Sequence, residues 1–113
     1  MKITRLETIL LTVPLPEVLH WSGGEADAVN SAFVRVHTDE GVTGLGECYN
    51  AIFVPEAVKA AVEAMESVVV GADPADVGAI YHALYSKTLF WGRTGLGVSA
   101  AGAIETAVWD VLG

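Results

Sequence analysis

The sequence predicts an α+β domain, a three-stranded antiparallel sheet followed by three helices, over residues 1–113. Three observations carry this. Ser31 to Asn50 reads as a β-hairpin, with Phe33, Val34 and Val36 before a break at Thr38-Asp39-Glu40-Gly41 and a second arm after it. The opening residues alternate as a strand able to complete that sheet. Everything from Pro55 onward repeats its apolar residues at three and four, the helical period.

The first strand covers about 2–13, with Leu6 and Leu10 on one face and Ile3, Ile9, Leu11 and Val13 on the other. Pro14 and Pro16 are expected to end it, because neither can donate to a ladder. From there to Asn30 no period is visible, and the segment reads as a long loop holding His20-Trp21 and Gly23-Gly24; such loops are commonly lids or binding loops. The hairpin strands span about 31–38 and 42–49, joined by a turn whose Gly41 suits a left-handed backbone. Gly44 and Gly46, two apart, face one side and imply a close neighbour or a bend; Thr43, Leu45 and Glu47 face the other.

The first helix covers about 55–70, with Pro55 at its first position, a stripe of Val58, Ala61, Val62, Met65, Val68 and Val69, and Gly71 to close it. Asp73-Pro74 reads as the cap and first turn of a second helix over about 74–87, striped by Val77, Ile80, Tyr81, Leu84 and Tyr85. A third helix over about 98–112 combines small residues, Ala100 to Ala103 and Ala107, with a large stripe of Ile104, Val108, Trp109 and Leu112. Small residues admit another backbone closely, so this helix is expected to make contacts on two sides, one of them outside residues 1–97.

Composition narrows the function classes. Hydrophobic residues make up 52% of the chain before its 12 glycines are counted, and the mean hydropathy is +0.47, above the roughly 45–50% with Gly included that is usual for a soluble domain. No run approaches the roughly 18 apolar residues of a membrane span, so the surplus points to a surface covered by another domain or by a homo-oligomer. A net charge of −8, with six Lys and Arg, argues against nucleic acid. A single cysteine, Cys48, excludes an internal disulfide, and Arg5 and Glu7 interrupt any signal-peptide pattern, so the expected location is cytoplasmic.

Three segments, in this order, carry a resemblance: MKITRLET, VRVHTDEGVTGLGE and SAAGAIETAVWDVLG. Together they resemble the N-terminal capping domain of the mandelate racemase/muconate lactonizing enzyme family of the enolase superfamily. Gly44-Leu45-Gly46-Glu47 and Ile104-Glu105 with Trp109-Asp110 are the specific parts; Glu105 stands where members commonly show Asp. The resemblance implies a C-terminal (β/α) barrel beyond this chain. That barrel would supply a catalytic Lys or His and three carboxylates binding Mg²⁺, so no catalytic or metal-ligating residue is expected among these 113 and the chain alone is expected to be inactive. The activity implied is removal of a proton α to a carboxylate. An acid-sugar dehydratase is preferred because the lid residues are hydrogen-bonding types, with racemase or cycloisomerase as the alternative. From another class, a free-standing α+β binding or oligomerisation module is the rival reading.

The candidate substrate-binding residues are His20, Trp21, Tyr49 and Asn50. Trp21 offers apolar area and His20 a proton or hydrogen bond, on a loop that the resemblance places over the active site; the competing role for Trp21 is to anchor its own loop. Tyr49 and Asn50 lie where the family's second specificity loop begins, though Asn is also ordinary turn chemistry. Glu47 is expected to form a structural pair with Arg35 rather than act as a catalytic carboxylate. Gly92 to Gly97 matches neither phosphate-binding fingerprint and reads as a glycine-rich entry to a buried helix. His37 and His82 lack partners at zinc-ligand spacing, and Cys48 reads as a small core residue.

Overall fold

The computed structural model describes residues 1–113. Three antiparallel strands, β1 (Ile3–Trp21), β2 (Gly24–Thr38) and β3 (Thr43–Cys48), form one sheet in the order β1-β2-β3. A single 3₁₀ turn, Tyr49–Ile52, leads to α1 (Pro55–Val69), α2 (Val77–Lys87) and α3 (Gly95–Leu112). The helices cover one face of the sheet, giving two layers and a shortest dimension of 20 Å.

The β2–β3 hairpin has the expected turn. The Gly41 N–H donates to the Thr38 carbonyl, the Thr38 hydroxyl to the Val42 carbonyl, and Gly41 takes φ 79°. Gly44 and Gly46 also do what their spacing requires. A Cβ on Gly44 would lie 2.0 Å from the Ala107 carbonyl oxygen, and one on Gly46 2.0 Å from that of Ala103. The α3 backbone thus lies directly on β3, across the small residues of both. Asp110 adds a polar tie, its Oδ2 accepting the edge N–H of Leu45 at 2.8 Å. On α1 the buried residues are Val58, Ala61, Val62, Met65 and Val69, as its period dictates, and they meet Val34, Val36, Ile104 and Val108 in one core. No helix is long and apolar enough to cross a membrane.

The segment expected to be a loop from Pro14 to Asn30 is instead strand. β1 runs through both prolines to Trp21, turns at Ser22-Gly23, and β2 starts at Gly24, seven residues ahead of the expected 31. Proline is excluded from a central strand but not from an edge, and β1 pairs on one side only. The ladder slips between Pro14 and Leu19, so Leu15 to Val18 bulge opposite Asp27 alone, and the period of two is lost there. A second slip between Ile3 and Arg5 turns Ile3 to the same buried face as Leu6 rather than the opposite one.

Other boundaries shift for local reasons. The second helix starts at Val77, not 74, because Asp76 is its cap, accepting from the Ala79 N–H; Asp73 caps only the turn before it, accepting from Ala75. The third helix starts at Gly95, not 98. Gly97 there meets backbone closely, a Cβ on it lying 2.4 Å from Gly92 Cα, while a Cβ on Gly92 would run into the Thr88 side chain. The expected Glu47–Arg35 pair does not form. Glu47 stands opposite Phe33, while Arg35 faces Glu7 on β1, which lies 3.7 Å from it and 2.7 Å from His37 Nε2. The His37 hydrogen bond, with Arg35 and Arg5 behind it, holds the Glu7 carboxyl below the ordinary glutamate range against the opposing effect of its partial burial.

Candidate functional site

The site follows from a mismatch in strand length. β3 pairs with β2 only as far as Ala32 opposite Cys48, whereas β2 continues to Gly24. The side of β2 that is buried at Ala32, Val34 and Val36 therefore continues through Asn30, Ala28 and Ala26, past the end of the sheet's third strand. The chain leaving β3 turns at Tyr49–Ile52 beside this overhang. Between the two lies a cleft of about 730 Å³.

Trp21 and Tyr49, 28 positions apart, line this one cleft. Trp21 closes the hairpin: its indole lies over Gly23 and Gly24, where a Cβ would come within 3.0 Å and 3.4 Å of the ring, yet the side chain stays 48% exposed. It is both the anchor of its turn and a wall of the cleft. Tyr49 is 68% exposed and meets Phe53 edge-on, ring centroids 6.1 Å apart. His20 and Asn50 do not line the cleft. Strand alternation sends His20 to the side opposite Trp21, where its Nδ1 lies 3.3 Å from Glu25 Oε2. The Asn50 carbonyl accepts from the N–H groups of Phe53 and Val54, closing the 3₁₀ turn.

The lining also includes Leu15, Leu19, Ile52 and Phe53, which the sequence reading did not single out. Leu15 lies in the bulge and Leu19 resumes the ladder after it, and Pro16, Glu17 and Val18 between them break the alternation that would mark a strand face. Ile52 and Phe53 follow a polar pair in what reads as a short connection. Their one visible signal was apolarity in a loop, which is unusual where nothing covers it.

Glu25 and Asp27 border the cleft, but as alternate residues of β2 they share the ribbon side of His20 and not that of Ala26 and Ala28. Glu25 is engaged by His20, and no group of three His, Cys, Asp or Glu side chains gathers anywhere in the chain. A hard cation such as Mg²⁺ takes about six oxygen ligands, several of them from carboxylates and carbonyls, and this donor set does not fit it. What the cleft offers is two aromatic faces, aliphatic walls, a phenol and the backbone of a strand edge. Those features suit a small ligand's CH faces and hydroxyls.

A family model described as the N-terminal domain of mandelate racemase/muconate lactonizing enzyme matches residues 6–113. A D-galactarolactone cycloisomerase of Agrobacterium fabrum is 32% identical over the whole chain, which covers 29% of that enzyme. A D-galactonate dehydratase of Xanthomonas euvesicatoria is 39% identical over 83 residues, 72% of this chain and 21% of that enzyme. Among solved structures, a mandelate racemase/muconate lactonizing enzyme-like protein from Rubrobacter xylanophilus superposes with a TM-score of 0.85 at 27% identity, over 98% of this chain and 30% of its own. The chain thus spans less than a third of the length of these relatives.

Proposed function

The chain belongs to the mandelate racemase/muconate lactonizing enzyme family, as its N-terminal domain, and from that premise we propose that it caps the active site of an enzyme that removes a proton α to a carboxylate, most specifically an acid-sugar dehydratase. The observation that carries this is the overhanging cleft, lined by Trp21 at the end of β1 and by Tyr49 in the 3₁₀ turn after β3, both of them exposed. In this reading the cleft closes over substrate held by a C-terminal barrel, excludes water and selects among acids. The dehydratase assignment draws on the 39% identical galactonate dehydratase. Cycloisomerisation is the second reading, favoured by the 32% identity that extends over the whole chain.

Mg²⁺ belongs, in this reading, to the barrel; when bound it stabilises the enolate formed on loss of the proton. This chain's residues bind and orient. Trp21 and Phe53 would stack on the substrate's CH faces, the Tyr49 hydroxyl would bond one of its hydroxyls, and the hairpin would shut out water. The enzyme is expected to act on a small carboxylate, as a homo-oligomer in the cytoplasm, with neither nucleic acid nor membrane as a partner.

The test uses the full-length enzyme with Mg²⁺ and a panel of sugar acids. Trp21→Ala and Tyr49→Phe should change the order of preference by tenfold or so, as lost stacking or a lost hydrogen bond does. Exchange of the α-proton with solvent deuterium should survive on at least one acid. Loss of all exchange in folded, metal-bound variants would assign the chemistry to these residues and overturn the capping role.

A further inference from the structure

The face of the sheet that no helix covers is ordered by chemistry along its length. Strand alternation puts the odd-numbered residues of β2, from Glu25 to His37, on that face, with their β1 partners beside them. Arg5 and Arg35 stand at one end, two guanidiniums around the single carboxylate of Glu7. Glu25 and Asp27 stand at the other end, where His20 is engaged by Glu25. Between the two ends, Ile9 against Phe33, Leu11 against Ser31 and Val13 against Val29 make an apolar centre. Leu11 and Val13 are 50% and 61% exposed there. From this order we infer that the open face of the sheet is a two-fold interface with a second copy of this chain.

The face is complementary to itself. Consider a two-fold axis between two stacked sheets, running across their strands and level with Leu11 and Ser31. It reverses the order of residues on the facing copy, as an isologous contact requires. Arg35 and Asp27 lie equally far from Ser31 on β2, so Arg35 meets the partner's Asp27. By the same count Phe33 meets the partner's Val29, and Leu11 meets itself. Sheets stacked about 10 Å apart with their strands within about 30° bring such side chains into contact. The apolar centre leaves water, and a charge pair at each end fixes the register.

Two observations favour a copy over another part of the same enzyme. The exposed stripe of α3 lies in the helical layer, so a domain seated on it approaches from the other side of the sheet. Beyond the end of β3, moreover, the β1–β2 ribbon has only two strands, which are marginal alone. Its front is the cleft, and its back carries Val13 and Val29. A copy stacked on that back would brace the ribbon and leave the cleft open. The inference stands apart from the capping role and gives the homo-oligomer proposed above its contact surface.

The test measures the mass of the full-length enzyme by analytical ultracentrifugation. Leu11→Glu places two carboxylates against each other on the axis. It should halve the mass or raise the dissociation constant about a hundredfold, the scale of a buried unpaired charge. Asp27→Lys, facing the partner's Arg35, should weaken association about tenfold, and Asp27→Asn by less. Both positions are exposed, and circular dichroism confirms that the variants fold. Under mild oxidation Leu11→Cys should link two protomers, while Thr43→Cys, on the same face but off the axis, should not; the native Cys48 is buried. An oligomer unmoved by Leu11→Glu and not linked through Leu11→Cys means that something else covers this face, and overturns the inference alone. A native enzyme that is monomeric at micromolar concentration overturns both the inference and the expected homo-oligomer. Neither result touches the capping role, which is read from substrate preference.

Discussion

Gly44 and Gly46 leave no room for a methyl group, because the nearest atoms are the backbone carbonyls of α3 and cannot swing aside as a side chain would. Gly46→Ala should therefore destabilise the domain by about 1–3 kcal/mol, the range typical of overpacking. Gly102→Ala makes the contrast. That position is mid-helix with nothing within 4 Å of a new Cβ, so the same chemical change should stabilise by up to about 1 kcal/mol. Chemical denaturation of the two variants beside the native chain measures both; equal effects would mean that the α3–β3 approach is looser than described. Glu7 gives a second residue-scale expectation. Its folded pKa is depressed, chiefly by the His37 hydrogen bond, so its stabilising contribution is present above the ordinary glutamate pKa of about 4.3 and is lost as pH falls through the lower folded value. Glu7→Gln should destabilise at neutral pH and match the native chain in strong acid. A stability difference that stays constant across that range would remove the linkage.

At the scale of elements, local chemistry made some features legible and edge geometry hid others. The hairpin turn was readable because Thr38 to Gly41 combine a hydroxyl, two acids and a glycine, and Gly41 does take a positive φ. Gly41→Val should cost about 1–2 kcal/mol from backbone strain alone, since nothing lies within 4 Å of a new Cβ; an unchanged denaturation midpoint would refute the turn. Helix α1 was readable because its buried residues keep one period from Val58 to Val69. The overhanging hairpin was not. Pro14 and the four bulged residues, Pro16 among them, erase the alternation that marks a strand, and only the topology reveals that β1 is an edge where prolines are tolerated. The cleft inherits that opacity. Trp21 and Tyr49 were legible one by one as aromatic residues in connections, but their shared wall depends on β2 outrunning β3. The family's sequence signature also gains a physical meaning here. Its hairpin part, Gly44 to Glu47, and its helix part, Ile104 to Asp110, are one packing contact, closed by the bond from Leu45 N–H to Asp110.

The whole molecule is wider than its length requires. Its radius of gyration is 14.9 Å, where about 13 Å is usual for a chain of this size, and the overhanging hairpin accounts for the excess. It also exposes as many large apolar side chains, 22, as its core buries hydrophobic residues. On α3 these include Val98, Trp109 and Leu112, which follow one face of the helix, opposite the face pressed onto β3. Phe90, at 96% exposure, and Trp91 add a second apolar area at the α2–α3 connection. Such surfaces are what a covering domain would remove from water. The three tryptophans make this measurable, since Trp21, Trp91 and Trp109 are each about half exposed. In the isolated chain their fluorescence should be red-shifted and open to acrylamide quenching. In a full-length enzyme whose further domain packs on α3, Trp109 should lose that access, so the emission removed by Trp109→Phe should be blue-shifted and poorly quenched. Trp21 should remain accessible until substrate is added, because it belongs to the cleft and not to the packed face. If Trp109 quenches equally in the short and long proteins, the apolar stripe of α3 has a different use, and the way this domain is seated in the proposed enzyme would have to be redrawn.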